Sequence, residues 1–128
     1  MMPIKVVCGI IGKDGHAFIA RRKAGKALAG FWEFPGGKLE KDEPPEAALI
    51  RELQEELGMQ VKVLDFFGSS VYDYKTLSIE LIAYNCNFIS ASYKLTDHDE
   101  AKFVKPADLL KYKISPADQF IVSSIANK

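Results

Sequence analysis

Residues 44–57 constrain the fold more than any other segment, because their pattern favours a helix that must bury one side. Pro44 and Pro45 suit a first helical turn, and Gly58 suits the position just after the last turn. One side of the helical wheel is acidic. The other side is apolar and consists of Leu49, Ile50, Leu53 and Leu57. Such a helix has to pack on an apolar surface that the rest of the chain provides.

Apolar runs of strand length surround this helix. The predicted strands are residues 4–11, 16–21, 31–34, 60–72, 76–89 and 101–104, followed by a helical turn at 106–111 and a last helix from Ser115-Pro116 to about residue 126. Lys13-Asp14-Gly15 predicts a hairpin turn, and Pro35-Gly36-Gly37 is expected to break the short third strand. This order predicts an α/β (α+β) fold with helices packed on a mixed sheet. The length of 128 residues fits one domain, residues 1–128.

Composition and charge exclude several classes of protein. The 17 basic and 17 acidic residues cancel, whereas domains that bind nucleic-acid polymers usually carry a basic excess. No apolar run approaches the ~18 residues that a membrane span needs. Cys8 and Cys86 lie in apolar runs, so we expect two buried, reduced thiols. The N-terminal apolar run is short and lacks a cleavage site, which predicts a strand rather than a signal peptide, and hence a cytoplasmic protein.

Acidic residues are concentrated around the helix. Residues 40–56 hold seven of the 17 acids, opposed only by Lys41 and Arg51. Glu52 has like-charged neighbours three and four positions later, and each such pair costs about 0.2–0.5 kcal/mol. A solvated polar face is the ordinary explanation of an acidic helix. Three convergent carboxylates also suit a hard divalent cation such as Mg²⁺, and Arg51 then either fixes a glutamate rotamer or forms an ordinary surface ion pair.

The spacing of these residues matches a known motif. Gly37 is followed after five residues by Glu43, and after seven more by Arg51-Glu52-Leu53-Gln54-Glu55-Glu56-Leu57-Gly58-Met59. This resembles the Nudix box, G-x5-E-x7-R-E-U-x-E-E-x-G-U, where U is aliphatic, and all seven invariant letters are present. Met59 at the last aliphatic position is a mild departure. The stretch GFWEFPGGKLEKDE, residues 30–43, is similar to the MutT-like branch of the family.

The resemblance implies the Nudix fold, an α/β/α sandwich around a mixed sheet. It also implies a MutT-like nucleoside triphosphate pyrophosphohydrolase, in which water attacks the β-phosphorus with the help of Mg²⁺ or Mn²⁺ and yields a nucleoside monophosphate and pyrophosphate. The implied metal ligands are the Gly37 carbonyl and the carboxylates of Glu52, Glu55, Glu56 and Glu100. The implied catalytic set is Arg51, Glu52, Glu55, Glu56 and Glu100, and the motif residues with structural roles are Gly37, Glu43 and Gly58. Which glutamate acts as the base stays open.

The fourth carboxylate is expected in the segment TDHDEAKFV. It offers Asp97, Asp99 and Glu100, and Glu100 is preferred because it precedes Phe103 by three residues, similar to an E-x-x-W pattern of the family. His98 in the same segment is expected to be a solvated loop residue.

Recognition of the nucleotide is expected from residues outside the box. The candidates are Arg22, Phe34, Lys38, Tyr74 and Asp118, each with an ordinary structural alternative. Asp118 stands where 8-oxoguanine-specific members of the branch have Asn, and this is similar to relatives that hydrolyse cytidine nucleotides. An ionised carboxylate only accepts hydrogen bonds, and cytosine offers an N4 amino donor. Ser115 and Asp118 also have the spacing of a helix capping box.

The expected partner is therefore a small nucleotide, with (d)CTP, a modified cytidine nucleotide or 8-oxo-dGTP as substrate, in the sense of nucleotide-pool sanitation. One alternative is hydrolysis of diadenosine polyphosphates or ADP-ribose, with which Tyr74 is loosely compatible. Another is a non-catalytic nucleotide-binding domain on the same fold, which ranks last because no box glutamate is missing. Neither a nucleic-acid polymer nor a membrane is expected as a partner, and the oligomeric state stays open.

Overall fold

The first strand lies at the centre of a seven-stranded mixed sheet in the computed structural model, which describes residues 2–126. The strands are β1 Ile4–Lys13, β2 His16–Arg22, β3 Trp32–Glu33, β4 Gly36–Lys38, β5 Met59–Asp73, β6 Ser78–Ala91 and β7 His98–Val104. The helices are α1 Pro45–Leu57 and α2 Gln119–Ile125, with 3₁₀ turns at Pro106–Lys111 and Pro116–Asp118. The strand order is β3-β2-β1-β6-β5, with β4 paired to β1 and β7 paired to β2.

β1 pairs with three strands because its two halves have different neighbours. It runs parallel to β6 from Ile4 to Gly12, antiparallel to β4 at residues 6–8, and antiparallel to β2 at residues 12–13. Its side chains alternate between the two faces of the sheet. Val7 and Ile11 pack in one core cluster with α1, while Cys8 and Ile10 pack in a second cluster with α2. The helices therefore cover opposite faces, as the predicted sandwich requires.

The α1 helix begins and ends where the sequence predicts. Pro44 precedes it, and Gly58 ends it at φ 60°, with its N–H bonded to the Gln54 carbonyl. Leu49, Leu53 and Leu57 are fully buried. Ile50, predicted to share the apolar side, is 51% exposed, because it lies at the margin of the stripe that faces the sheet.

The third strand ends at Glu33, before Pro35-Gly36-Gly37, as predicted, but the prediction missed a separate strand that follows at once. Residues 36–38 form β4, which pairs antiparallel with Val6–Cys8 of β1. A Cβ atom on Gly36 would lie 1.8 Å from the Val7 carbonyl oxygen and 2.7 Å from Cys8 Cα. Only glycine lets the two backbones approach so closely, so the residue that indicates a break in the sequence permits strand pairing in the fold.

The two cysteines and the helices bear on the predicted thiols and on membrane spans. Cys8 and Cys86 are buried and unpaired, as predicted. Within residues 2–126, no helix is long and apolar enough to cross a membrane.

Gly36→Ala is expected to destabilise the protein by about 1–3 kcal/mol, the usual cost of overpacking a filled region. The contacted atoms belong to the β1 backbone and cannot rotate away. Gly12→Ala is the matched control, since its Cβ would lie 3.7 Å from the nearest atom, the Cys86 carbonyl oxygen. Urea unfolding of both variants measures the difference, and equal midpoints would contradict the close contact at Gly36.

Candidate functional site

The Nudix-like box brings β4 and α1 together through a glycine. A Cβ atom on Gly37 would lie 2.3 Å from both Cδ and Oε2 of Glu52. The Glu52 carboxylate therefore occupies the space that any other residue at position 37 would fill. β4 thus places backbone groups directly beside a box glutamate.

Arg51 gathers three glutamates around one guanidinium. It binds Glu43 in a two-pronged contact, with Nε and Nη2 each 2.9 Å from a carboxylate oxygen. Its Nη1 lies 2.8 Å from Glu52 Oε1 and 3.2 Å from Glu55 Oε2, and its Nη2 donates to the Lys38 carbonyl oxygen at 3.2 Å. The guanidinium, together with the Glu40 N–H, lowers the pKa of Glu43 to about 2. Arg51 thus connects α1, β4 and the loop between them.

Glu56 has acidic neighbours instead. Its carboxyl group is in hydrogen-bonding contact with Glu52 and with Asp97, which lies just before β7. Burial and these two carboxylates raise the pKa of Glu56 far above its usual range. The pKa of Asp97 is lowered by the contact with Glu56 and by Lys26, whose Nζ is 3.0 Å away. The pKa values of these two carboxyl groups are thus shifted in opposite directions, as expected for two acidic groups in hydrogen-bonding contact.

This carboxylate group, Glu52, Glu56 and Asp97, has the donor chemistry of a divalent-cation site. Carboxylate oxygens are the ligands that suit a hard cation such as Mg²⁺. No three acidic, histidine or cysteine side chains in residues 2–126 already surround one point at ligand distances. Glu55 is 61% exposed and is held by Arg51.

Glu100, the predicted fourth carboxylate, lies in other contacts. Its oxygens are 3.5 Å from Arg21 Nη2 and 3.3 Å from Lys102 Nζ. Asp99 lies 2.8 Å from Arg21 Nε. The register between β2 and β7 shifts between Arg21 and Arg22: Arg21 pairs with Glu100 and Arg22 with His98, which leaves Asp99 as the extra residue on β7. Asp97 reaches the box in this register, and no sequence spacing indicated it over Glu100.

One cavity of about 370 Å³ adjoins the carboxylates. Its lining contains all five predicted recognition residues: Arg22, Phe34, Lys38, Tyr74 and Asp118. Gly37 lines it as well, so the cavity reaches the backbone that touches Glu52. Apolar walls come from β1, β6 and the loops, with Val6, Leu28, Leu77, Ile79 and Leu81.

Asp118 is a buried polar group of the cavity wall. Its Oδ2 accepts the Phe34 N–H at 2.8 Å, and its Oδ1 accepts the Ser115 hydroxyl at 2.9 Å. Burial and the nearby Glu33 charge raise the pKa of Asp118 to about 7. The predicted capping box is wrong, because the two side chains bind each other and neither caps the helix. The α2 helix begins only at Gln119, after a 3₁₀ turn.

Comparison with known proteins decides the family. A model of the NUDIX domain matches residues 6–124. The chain belongs to the Nudix family.

Several relatives of this Nudix protein are enzymes. The chain is 36% identical over 118 residues to the CTP pyrophosphohydrolase of Escherichia coli K12, covering 92% of this chain and 87% of the relative. It is 43% identical over 79 residues to the 8-oxo-dGTP diphosphatase of Proteus vulgaris, covering 61% of this chain and 70% of the relative. The solution structure of the E. coli ORF135 protein matches it with a TM-score of 0.84 at 35% identity, covering 97% of this chain and 89% of that one.

These matches confirm the predicted Nudix fold and the assignment to the MutT-like Nudix hydrolases. Enzymes of this family act on small nucleotides and generally depend on a divalent metal. The box at the β4–α1 junction is accordingly the candidate active site of this hydrolase.

Three residues of this Nudix site were not found from the sequence. Glu33 and Cys8 line the cavity, although both positions indicated only strand structure. The prediction that His98 is solvated is wrong: the residue is 3% exposed, and its Nε2 lies 2.8 Å from Glu33 Oε2. Trp32, the neighbour of Glu33 in β3, packs in the core against Tyr112. These contacts join segments far apart in the chain, so local spacing carries no signal for them.

Glu43→Gln is expected to reduce the pH dependence of stability below pH 5. A carboxylate whose folded pKa is about 2 stabilises the protein above its unfolded pKa of ~4.3. This stabilisation is lost as the pH falls toward 2. The difference in free energy of unfolding between wild type and Glu43→Gln should therefore shrink from pH 7 to pH 3 in urea titrations.

Glu40→Gln is the control for this experiment. Glu40 is 70% exposed on its side chain and lies 3.9 Å from Arg51 Nε. Its variant should follow the wild type at every pH. A Glu43→Gln difference that stays constant down to pH 3 would contradict the ion pair.

Proposed function

We propose that this chain hydrolyses (d)CTP or a modified cytidine nucleotide to the monophosphate and pyrophosphate, in the presence of Mg²⁺ or Mn²⁺. The observation that carries the proposal is the continuity of one cavity. Buried Asp118 lies on its wall, and Gly37, in contact with the Glu52 carboxylate, lies on the same wall. A nucleotide whose base meets Asp118 would direct its phosphates toward the box.

The carboxylates are proposed to hold the cation. Glu56 is in hydrogen-bonding contact with both Glu52 and Asp97. Glu55 and the Gly37 carbonyl are the further candidate ligands, and we propose Asp97 in place of Glu100 because Glu100 pairs with two cations. A bound Mg²⁺ supplies charge neutralisation at phosphate oxygens and a more acidic water. Arg51 acts by orienting Glu52 and Glu55.

The cavity wall is proposed to select the base. Asp118 and Glu33 present carboxylate oxygens, which suit the N4 amino donor of cytosine. Tyr74 is partly exposed and its hydroxyl accepts the Ala117 N–H, so its ring is fixed for stacking. Phe34 is 3% exposed and contributes mainly wall area. Lys38 and Arg22 supply positive charge for the phosphates.

A second candidate substrate is 8-oxo-dGTP. With a pKa of about 7, Asp118 is partly protonated near neutral pH and can then donate a hydrogen bond to an oxidised purine. Relatives at comparable identity are named for each of the two nucleotides. The protonation state of one buried carboxyl group would thus separate the two substrates.

Glu56→Gln and Asp97→Asn are each expected to lower kcat by about two orders of magnitude or more, because each removes a carboxylate from the charge-stabilising group. Glu100→Gln should stay within about threefold of wild type, since its carboxylate pairs with Arg21 and Lys102. Pyrophosphate release from CTP with Mg²⁺ measures turnover, and circular dichroism checks the fold. Loss of activity in Glu100→Gln with normal turnover in Asp97→Asn would reverse the assignment.

The preference for cytidine nucleotides is expected to rise with pH. Asp118 loses its proton as the pH passes about 7 and then accepts from the N4 amino group. The ratio of kcat/KM for dCTP over 8-oxo-dGTP should therefore increase between pH 6 and pH 8. It should be flat in Asp118→Asn, whose side chain does not titrate.

The same assay separates the alternatives if the panel includes CTP, dCTP, 5-methyl-dCTP, dGTP, 8-oxo-dGTP and ADP-ribose. Cytidine nucleotides should be the best substrates at pH 8. Turnover of ADP-ribose or diadenosine polyphosphates without pyrophosphate release from triphosphates would favour dinucleotide hydrolysis. Saturable binding without turnover in both Mg²⁺ and Mn²⁺ would favour a non-catalytic domain.

A further inference from the structure

His98 is a buried polar residue that the proposed reaction leaves without a role. Its side chain is 1% exposed. Nε2 lies 2.8 Å from Glu33 Oε2, and Nδ1 has no hydrogen-bond partner within residues 2–126. Burial of a half-satisfied imidazole costs free energy, so the residue is expected to contribute something other than core packing.

Glu33 is the group that His98 contacts, and it lines the nucleotide cavity. Its Oε2 lies 2.8 Å from His98 Nε2 and 3.5 Å from Arg22 Nη1. No hydrogen bond within the described residues uses its Oε1. With one oxygen occupied by His98, the carboxylate is held in one rotamer and keeps the other oxygen available as an acceptor.

A hydrogen bond between the two side chains requires one particular tautomer of the His98 imidazole. An ionised Glu33 only accepts hydrogen bonds, so Nε2 must be the donor. A proton on Nδ1 would be a buried donor without a partner in the part of the chain that the structure describes. The neutral Nε2–H tautomer is therefore the arrangement that satisfies the pair.

The position of His98 in the chain joins this contact to the carboxylate group. Asp97, its neighbour, contacts Glu56, and the Asp97 carbonyl accepts the Lys23 N–H at 3.1 Å. Residues 97 and 98 thus contact the box and the cavity wall respectively.

We propose that His98 is a positioning residue for base selection, which holds the Glu33 carboxylate in the cavity wall through its Nε2–H. The proposal rests on the proposed function, since it concerns how that same cavity recognises a nucleotide. His98 itself touches no substrate. Its removal should therefore change discrimination between bases more than the rate of the bond cleavage.

Two amide substitutions of His98 test separately the positions of its two ring nitrogens. In His98→Gln the amide nitrogen is as many bonds from Cα as Nε2, so it can donate to Glu33. In His98→Asn it reaches only the position of Nδ1, which has no partner among the described residues. His16→Asn is the control for loss of a histidine, because His16 lies at the β1–β2 turn and bonds only the Asp14 carbonyl.

His98→Asn should lower the ratio of kcat/KM for dCTP over dGTP about tenfold, the size of one hydrogen bond, and mainly through KM. His98→Gln should stay within about threefold of wild type, and His16→Asn should not differ. In a Glu33→Gln background, His98→Asn should cause no further change in the ratio, because the two residues act as one unit. Equal losses for both nucleotides, or additive effects of the two substitutions, would overturn the proposal and indicate packing alone.

Nitrogen-15 NMR of the wild-type imidazole tests the contact without any substrate. The Nε2–H tautomer is expected for His98, and an Nδ1–H tautomer would overturn the proposal even if His98→Asn fails to fold. If the wild type releases no pyrophosphate from any nucleoside triphosphate, the proposed function fails. The tautomer and the coupling of His98 to Glu33 in stability measurements then still decide whether the contact exists.

Discussion

The guanidinium of Arg51 resolves the repulsion that would otherwise prevent this site from forming. Seven acidic residues lie within residues 40–56, and α1 presents several of them on one side. Arg51 provides donors for Glu43, Glu52 and Glu55 and for a carbonyl of β4. The helix is therefore anchored twice, by leucines on the sheet and by one cation on its acidic side. Glu56 contacts the carboxyl groups of Glu52 and Asp97 instead.

The net charge of zero does not show that acidic and basic residues are concentrated in different segments of the chain. The strands bring basic residues to the acidic helix from elsewhere in the chain, since Lys26 pairs with Asp97 and Arg22 lies near Glu33. A small anion with several negative charges can contact a bound metal cation on one side and these basic side chains on the other. The balance of 17 and 17 residues is thus compatible with a small nucleotide as ligand.

The sequence predicted those features whose causes are local. The bounds of α1 follow from prolines at its start and Gly58 at its end, and the box follows from fixed spacing within 23 residues. Features that depend on strand register were missed or misplaced. β4 forms because Gly36 meets the β1 backbone about 28 residues away in sequence. Asp97 and His98 acquire their partners from a register shift between β2 and β7, which no period of hydrophobicity encodes.

Two consecutive glycines allow the cavity and the box to lie next to each other. Gly36 lets β4 lie against β1, and Gly37 lets Glu52 lie against β4. Gly37 consequently lines the cavity and contacts the Glu52 carboxylate, so the cavity and the box meet at β4. In the proposed function the base would meet Asp118 and Glu33 in the cavity, while the phosphates would meet the box. Substitutions in the cavity would then change the preferred nucleotide without displacing a box glutamate, which would explain why relatives of similar identity are named for different nucleotides.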